Sequence, residues 1–203
     1  AQALCVATIP EALQLRHEFP GVRILVMAPA SGREIAQARE ADLDLTASDE
    51  AVPEGVRVHL KLDTGMGRWG LSELPVPPVQ VVGLMSHLAT ADSDPDFARA
   101  QIARFEEATA AHQNLIRHVA NSAAALRIPE SHFDAARCGI ALYGLSPFGE
   151  PPAVGGPDAG HHRGHGGDRR DGGSTRHREP GPLGRPVRGP AAAVVRVSQW
   201  RGP

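Results

Sequence analysis

Residues 58–70, VHLKLDTGMGRWG, decide how the rest of the chain is interpreted. A strand-like run leads to Lys61, and a glycine-rich turn then leads to Arg68. Lys61 is the only lysine in the 203 residues, which makes its position at the end of a strand informative. The segment raises the question of why Lys61 and Arg68 are held side by side there.

Short apolar segments of the same kind occur along the first 150 residues. Their continuous apolar character is typical of parallel strands covered on both faces. Seven strands are predicted, in the segments LCVAT, RILVMAP, LDLTA, VRVHLKLD, VVGLMSHL, IRHVANS and ARCGIALYG. Helices are predicted over residues 9–19 and 95–112, with Asp94 as the cap of the second. The alternation predicts an α/β fold built from a β/α repeat.

Four polar or small residues fall at or just after the carboxyl ends of different predicted strands: Lys61, His87, Ser122 and Gly139. In a (β/α) barrel that end carries the active site, while we expect the strand interiors only to fill the core. Each residue alone has a plainer interpretation, such as a core histidine or a tight glycine turn. Their occurrence together favours a functional site.

Residues 151–203 differ in composition from the rest of the chain. They contain nine arginines against four acidic residues, with 12 of the 22 glycines and 8 of the 18 prolines. So few apolar residues predict a disordered tail. Its histidines could suggest a metal site and its arginines a nucleic-acid arm, but regular ligand spacing and interleaved aromatics are lacking. Out-of-frame translation of GC-rich codons is our preferred hypothesis for this composition.

The remaining composition favours a cytoplasmic protein. Cys5 and Cys138 lie far apart and suggest neither a disulfide framework nor a metal site. The chain shows no signal-peptide pattern and no apolar run of membrane-spanning length. We therefore expect no metal, no nucleic-acid partner and no membrane association.

Four motifs, HLKLDTGMGRWGL, GLMSHLATAD, HVANSAA and RCGIALYG, together resemble the alanine racemase family. The resemblance covers residues 3–149 and implies a pyridoxal 5'-phosphate enzyme with a barrel and a C-terminal β domain. It implies a partial (β/α)8 TIM barrel over residues 1–149 that lacks its first strand. Residues 150–203 then stand in place of the β domain.

The resemblance also assigns roles to two cations and a histidine. Lys61 would carry a carbamate formed with carbon dioxide, and the carbamate would hold Arg68. Burial favours the free amine that this reaction needs. Arg68 would reach the cofactor's phenolic oxygen and the substrate carboxylate. His87 would line the cofactor and support a catalytic tyrosine.

The remaining expected contacts are with the cofactor. By resemblance, Arg137 faces the pyridine nitrogen and is held by His118. Because a guanidinium keeps its proton near neutral pH, the pyridine would stay unprotonated. The resemblance further implies that Asn121 lines the cofactor and that three groups bind its phosphate: the Ser122 hydroxyl and the backbone N–H groups of Gly139 and Ile140.

The chain also departs from the family pattern. The family uses two bases, a lysine bonded to the cofactor on the first barrel strand and a tyrosine from the partner subunit. Lys61 and Tyr143, the only lysine and tyrosine, match other positions. We therefore expect no useful racemisation by these 203 residues alone. A barrel without its first strand should also have two unpaired edges.

Two functional hypotheses stay open at this point. The chain is either part of a homodimeric alanine racemase that supplies D-alanine for peptidoglycan, or a non-catalytic remnant that binds the cofactor or is purely structural. The substrate could be alanine, serine or lysine.

Overall fold

The computed structural model describes residues 2–149 and the backbone of residues 192–196. Apart from the strand over 192–196, the predicted disordered tail, with its histidines and arginines, lies outside the described residues. Within them, no helix combines the length and apolar character that crossing a bilayer requires.

A sheet of eight strands forms the centre of the molecule. The first six pair in parallel with their neighbours in chain order. Two backbone hydrogen bonds then link the sixth strand region to the seventh, from Asp134 N to Arg117 O (3.0 Å) and from Arg137 N to Ala120 O (2.9 Å). The first seven strands are β1 (Ala3–Val6), β2 (Arg23–Val26), β3 (Asp44–Ala47), β4 (Arg57–Lys61), β5 (Val81–Met85), β6 (Ile116–His118) and β7 (Ala135–Cys138).

All seven predicted strands are therefore present, and the partial TIM barrel is confirmed. Two segments differ at their carboxyl ends. IRHVANS was predicted as a strand as far as Ser122, but the strand ends at His118 and a helix begins at Ser122. ARCGIALYG was likewise predicted as a single strand. Its strand ends at Cys138, and residues Ile140–Tyr143 form a 3-10 turn instead. Gly144 follows in the left-handed region with φ 70°, which ends the turn.

The eighth strand changes one expectation. β8 (Ala192–Arg196) lies between β1 and β7 and pairs antiparallel with both. The prediction of two unpaired edges at this point is therefore wrong. The physical reason is that strand edges present unpaired N–H and C=O groups, which a short apolar segment can satisfy from either direction.

Helices cover the outside of the sheet. Two were predicted, α1 (Ile9–Glu18) and α3 (Pro95–Thr109), and the Asp94 carboxylate caps α3 by accepting from Phe97 N at 3.0 Å. Two more, α2 (Gly32–Glu40) and α4 (Ser122–Arg127), were not predicted. Short 3-10 turns occupy Ala110–His112 and Pro129–Ser131.

The core lies between helices and sheet. Phe105 on α3 is fully buried, and its ring packs edge-on against Phe133 at 5.3 Å. Leu60 and Leu84 fill the same layer from β4 and β5. This packing holds the strand ends, and the loops that follow them, at fixed positions.

Candidate active site

A cavity of about 550 Å³ opens at the carboxyl ends of the barrel strands. Six of the nine predicted site residues line it: His87, Asn121, Ser122, Arg137, Gly139 and Ile140. They come from the ends of β5, β6 and β7 and the loops after them, as the barrel architecture predicts. The other three, Lys61, Arg68 and His118, lie around the cavity without lining it.

Arg137 forms the floor of the cavity. It is almost fully buried on β7. Its Nη1 donates to His118 Nδ1 (2.6 Å) and His118 O (2.9 Å), and its Nη2 donates to Ser86 O (2.6 Å). Burial lowers the pKa of Arg137 to about 10, so the group is still a cation at neutral pH. A fixed positive donor therefore faces the cavity.

His118 lies beneath Arg137 and is the neighbour that the resemblance assigned to it. Its Nε2 lies 2.8 Å from Nδ1 of His59 on β4, and the two rings meet edge to face. His59 Nε2 in turn lies 3.5 Å from Asp44 Oδ2 on β3. The expectation that strand interiors only fill the core is wrong here, because Asp44 and His59 carry a buried polar chain through the barrel.

His87 contacts the cavity from the end of β5. Its Nδ1 lies 3.5 Å from Arg137 Nη2. Burial, together with the positive charges of Arg137, Arg68 and Lys61, lowers the pKa of His87 to about 4. The ring is therefore neutral at pH 7 and is available as a hydrogen-bond donor or acceptor.

Ser122 and Gly139 form the opposite wall. The Ser122 hydroxyl oxygen accepts from Gly139 N (3.0 Å) and from Ala141 N (3.3 Å). Asn121 caps α4 by accepting from Ala124 N at 3.0 Å, and its amide nitrogen lies 3.4 Å from Leu88 O. Hydroxyl and backbone N–H groups thus meet at one place, where an anion could be bound.

Lys61 stands beside this cavity under a tightly folded loop. Its ammonium donates to Arg68 O at 2.6 Å and also contacts Trp69 O. The loop is held by the Asp63 carboxylate, which accepts from the N–H groups of Gly65, Met66 and Gly67 at 2.8–3.1 Å. Burial is the main cause of the lowered pKa of Lys61.

Gly70 closes that loop and cannot be replaced without moving the backbone. Its φ is +146°, and a Cβ there would lie 2.6 Å from Asp63 N. This close approach brings the two carbonyls onto Lys61. The side chain of Arg68 is exposed and lies over the Trp69 ring at 5.7 Å, so Lys61 contacts Arg68 through its main chain.

The fold and this arrangement define a (β/α)-barrel protein with a cationic, donor-rich site at the carboxyl ends of its strands. The family described as alanine racemase, N-terminal domain, matches residues 1–147. The chain therefore belongs to the alanine racemase family. Residues 1–147 correspond to the N-terminal domain of that family.

Individual relatives agree with this assignment. The alanine racemases of Frankia casuarinae and Beutenbergia cavernae are 39% and 40% identical to the chain, over 74% of it and 48% of their own length. The solved alanine racemase of E. faecalis superposes with a TM-score of 0.64 at 30% identity, covering 73% of this chain and 47% of that one. The chain spans about half the length of the relatives it matches.

Sequence reasoning missed two buried residues of the site region, Asp44 and His59. A signal was present, because residues two apart on a strand share one face. His59 and Lys61 are such a pair, and Asp44 is a charged residue within the apolar segment LDLTA. A charge within a buried strand needs a partner, and this need could have pointed to both residues.

The lowered histidine pKa values predict an acid-sensitive fold. Below about pH 6.5 the unfolded chain binds protons at His87 that the folded chain excludes until about pH 4. The free energy of unfolding should therefore decrease as the pH is lowered through this window. His87 contributes up to about 1.4 kcal/mol per pH unit to this decrease. His87→Asn should reduce this slope in urea titrations, while the slopes of both chains agree above pH 7. Equal slopes between pH 6.5 and 4.5 would contradict the assignment.

Proposed function

We propose that this domain belongs to a pyridoxal 5'-phosphate-dependent alanine racemase that interconverts L-alanine and D-alanine. The observation that carries the proposal is the pairing of a buried Arg137 with a hydroxyl and N–H cluster across one cavity. The family assignment supports the reaction, since the relatives bear the name alanine racemase.

The residues present fit the cofactor. The cavity of about 550 Å³ lies within the range of small-molecule sites, and its two ends differ in chemistry. Ser122 with the N–H groups of Gly139 and Ile140 would hold the phosphate, and Asn121 lines the wall between. Arg137 would lie under the ring nitrogen. The cofactor, when bound, withdraws electrons from the carbon that loses its proton.

Arg137 determines how strong that withdrawal is. A guanidinium can donate to a ring nitrogen but does not give up its proton at pH 7, so the nitrogen stays unprotonated. The pKa of about 10 preserves this property even after burial. A weaker electron sink limits side reactions and favours return of the proton to the same carbon.

Lys61 and Arg68 would prepare the substrate end. The lowered pKa of Lys61 increases the fraction of this side chain that is the free amine, which is the form that adds carbon dioxide. A carbamate there would attract Arg68, and the exposed Arg68 side chain would have to swing from Trp69 to reach it.

Isotopically labelled carbon dioxide should give a carbamate signal in nuclear magnetic resonance that Lys61→Arg abolishes. A signal that persists in this variant would refute the role.

The two bases would come from residues outside these 203. Lys61 is the only lysine and is engaged by the loop carbonyls, while Tyr143 is a half-exposed residue of a 3-10 turn. We further propose that the racemase acts as a cytoplasmic homodimer, with the partner completing each site, and that its product supplies peptidoglycan synthesis. Alanine is the proposed substrate, with serine and lysine as the alternatives.

Cofactor binding tests the proposal on the 203-residue chain itself. Ser122→Ala removes one phosphate donor and should weaken pyridoxal 5'-phosphate binding about tenfold, since a hydrogen bond to a charged group contributes about 1.5–3 kcal/mol. The measurement is equilibrium dialysis followed by cofactor absorbance. Ser131→Ala is the matched control, because Ser131 is also buried but its hydroxyl donates to Ile128 O. Equal affinities of the two variants would contradict the phosphate site.

Racemisation separates an enzyme from a non-catalytic cofactor binder. The 203-residue chain loaded with cofactor should produce no detectable D-alanine by chiral chromatography, because each missing base typically contributes a factor of roughly 10²–10⁴. A version extended to the full family length, with both bases, should racemise alanine faster than serine or lysine. If the extended protein binds the cofactor without turnover, the remnant hypothesis is correct. Turnover by the short chain would show that a residue among these 203 acts as a base.

A further inference from the structure

We propose that His59 and Asp44 are positioning residues that hold the His118 ring in one tautomer and thereby fix Arg137 beneath the cavity. The relevance of this arrangement to a cofactor rests on the proposed function. The arrangement itself is a property of the chain and can be tested without any ligand.

The direction of every hydrogen bond follows from Arg137. A guanidinium has only donors, so His118 Nδ1, 2.6 Å from Nη1, must accept. His118 is then neutral and carries its proton on Nε2. That N–H faces His59 Nδ1 at 2.8 Å, so His59 must accept there and carry its own proton on Nε2.

The chain ends at a carboxylate that is itself held in place. His59 Nε2 faces Asp44 Oδ2 at 3.5 Å, which is longer than an ordinary N–H···O hydrogen bond, and it has no hydrogen-bond partner among the described residues. Arg57 Nε donates to Asp44 Oδ1 at 2.6 Å, and Arg23 Nε donates to Oδ2 at 3.0 Å. Asp44 is buried, yet its pKa is lowered, because His59 and the two arginines stabilise its charge. A negative end favours a proton on the His59 nitrogen that faces it.

The backbone is also shaped around the His59 ring. Gly83 lies on the adjacent strand β5, and a Cβ there would lie 2.3 Å from His59 Nδ1. The register of β4 and β5 shifts between Val58 and His59, next to this contact. The ring therefore fills the space that the glycine leaves.

The alternative tautomer of His118 shows what the arrangement prevents. With its proton on Nδ1, two N–H groups would face each other at the Arg137 contact, and the guanidinium would lose an acceptor in a buried site. Arg137 would keep its short bonds to the carbonyls of Ser86 and His118, with Val119 O and His87 Nδ1 farther away at 3.5 Å. His59 opposes this state by accepting from Nε2, and so it acts on Arg137 through His118.

The test compares two substitutions of similar size. His59→Asn places an amide oxygen near the former Nδ1 position and can still accept from His118, whereas His59→Leu cannot. Long-range proton–nitrogen correlation spectra of the histidine-labelled 203-residue chain report which ring nitrogen of His118 is protonated. We expect the Nε2–H form in the wild type and in His59→Asn, and a substantial Nδ1–H population in His59→Leu. Thr109→Val is the control, because it removes a buried hydroxyl bonded to Phe105 O on α3.

Several results would overturn the proposal. An unchanged His118 tautomer in His59→Leu would show that His59 only fills space. If His59→Leu does not fold, the test rests on the wild-type spectrum at pH 7. An Nδ1–H form or an imidazolium at either His59 or His118 would then contradict the proposed hydrogen-bond directions. A third variant, Gly83→Ala, should displace the His59 ring and raise the Nδ1–H population of His118, and an unaltered spectrum would count against the account.

Cofactor affinity is measured separately, so that the two proposals fail independently. His59→Leu should bind pyridoxal 5'-phosphate about tenfold more weakly than His59→Asn. If the tautomers follow the prediction but the wild type binds no cofactor, the positioning proposal stands and the proposed function is wrong. If His59→Leu shifts the tautomer but binds the cofactor as tightly as His59→Asn, the His118 tautomer does not fix Arg137, and the proposal is wrong.

Discussion

The Arg137 guanidinium can donate hydrogen bonds but cannot accept them, and it is buried inside the barrel. Every group that faces it must therefore be an acceptor, and the surrounding structure meets this requirement. Carbonyl oxygens of Ser86 and His118 take two of its bonds, and the His118 ring takes a third. The other ring nitrogen of His118 then faces His59 Nδ1, and His59 Nε2 faces the Asp44 carboxylate. A buried charge is costly without such partners, so the polar chain and the cation depend on each other.

The loop next to this cavity also uses carbonyl oxygens to position a cation, in this case Lys61. Lys61 is buried, and its amine is directed by two carbonyl oxygens from the turn above it. That turn depends on the Asp63 carboxylate and on the backbone approach at Gly70. Both cations are thus placed by main-chain oxygens. Arg137 is fixed inside the protein, whereas the Arg68 side chain is exposed and lies over the Trp69 ring.

Much of the fold could be predicted from the sequence because its strongest signals are local. Continuous apolar runs identified all seven parallel strands, and the Asp94 cap identified the start of α3. β8 and its antiparallel pairing could not be predicted, since strand pairing over a long sequence separation leaves little local trace. At the site, Lys61, His87, Ser122 and Gly139 were predicted because a (β/α) barrel carries its active site at the carboxyl ends of the strands. His59 and Asp44 were missed because that rule assigns strand interiors to the core, while the buried charge of Arg137 places polar partners there.

The most direct test of the central claim is a crystal structure of the 203-residue chain with pyridoxal 5'-phosphate. The account predicts the cofactor in the cavity above Arg137, with its phosphate at Ser122 and Gly139 and its ring nitrogen accepting from the guanidinium. His118, His59 and Asp44 should keep the contacts described above. A cofactor bound elsewhere, or an Arg137 side chain turned away from the ring nitrogen, would contradict the account.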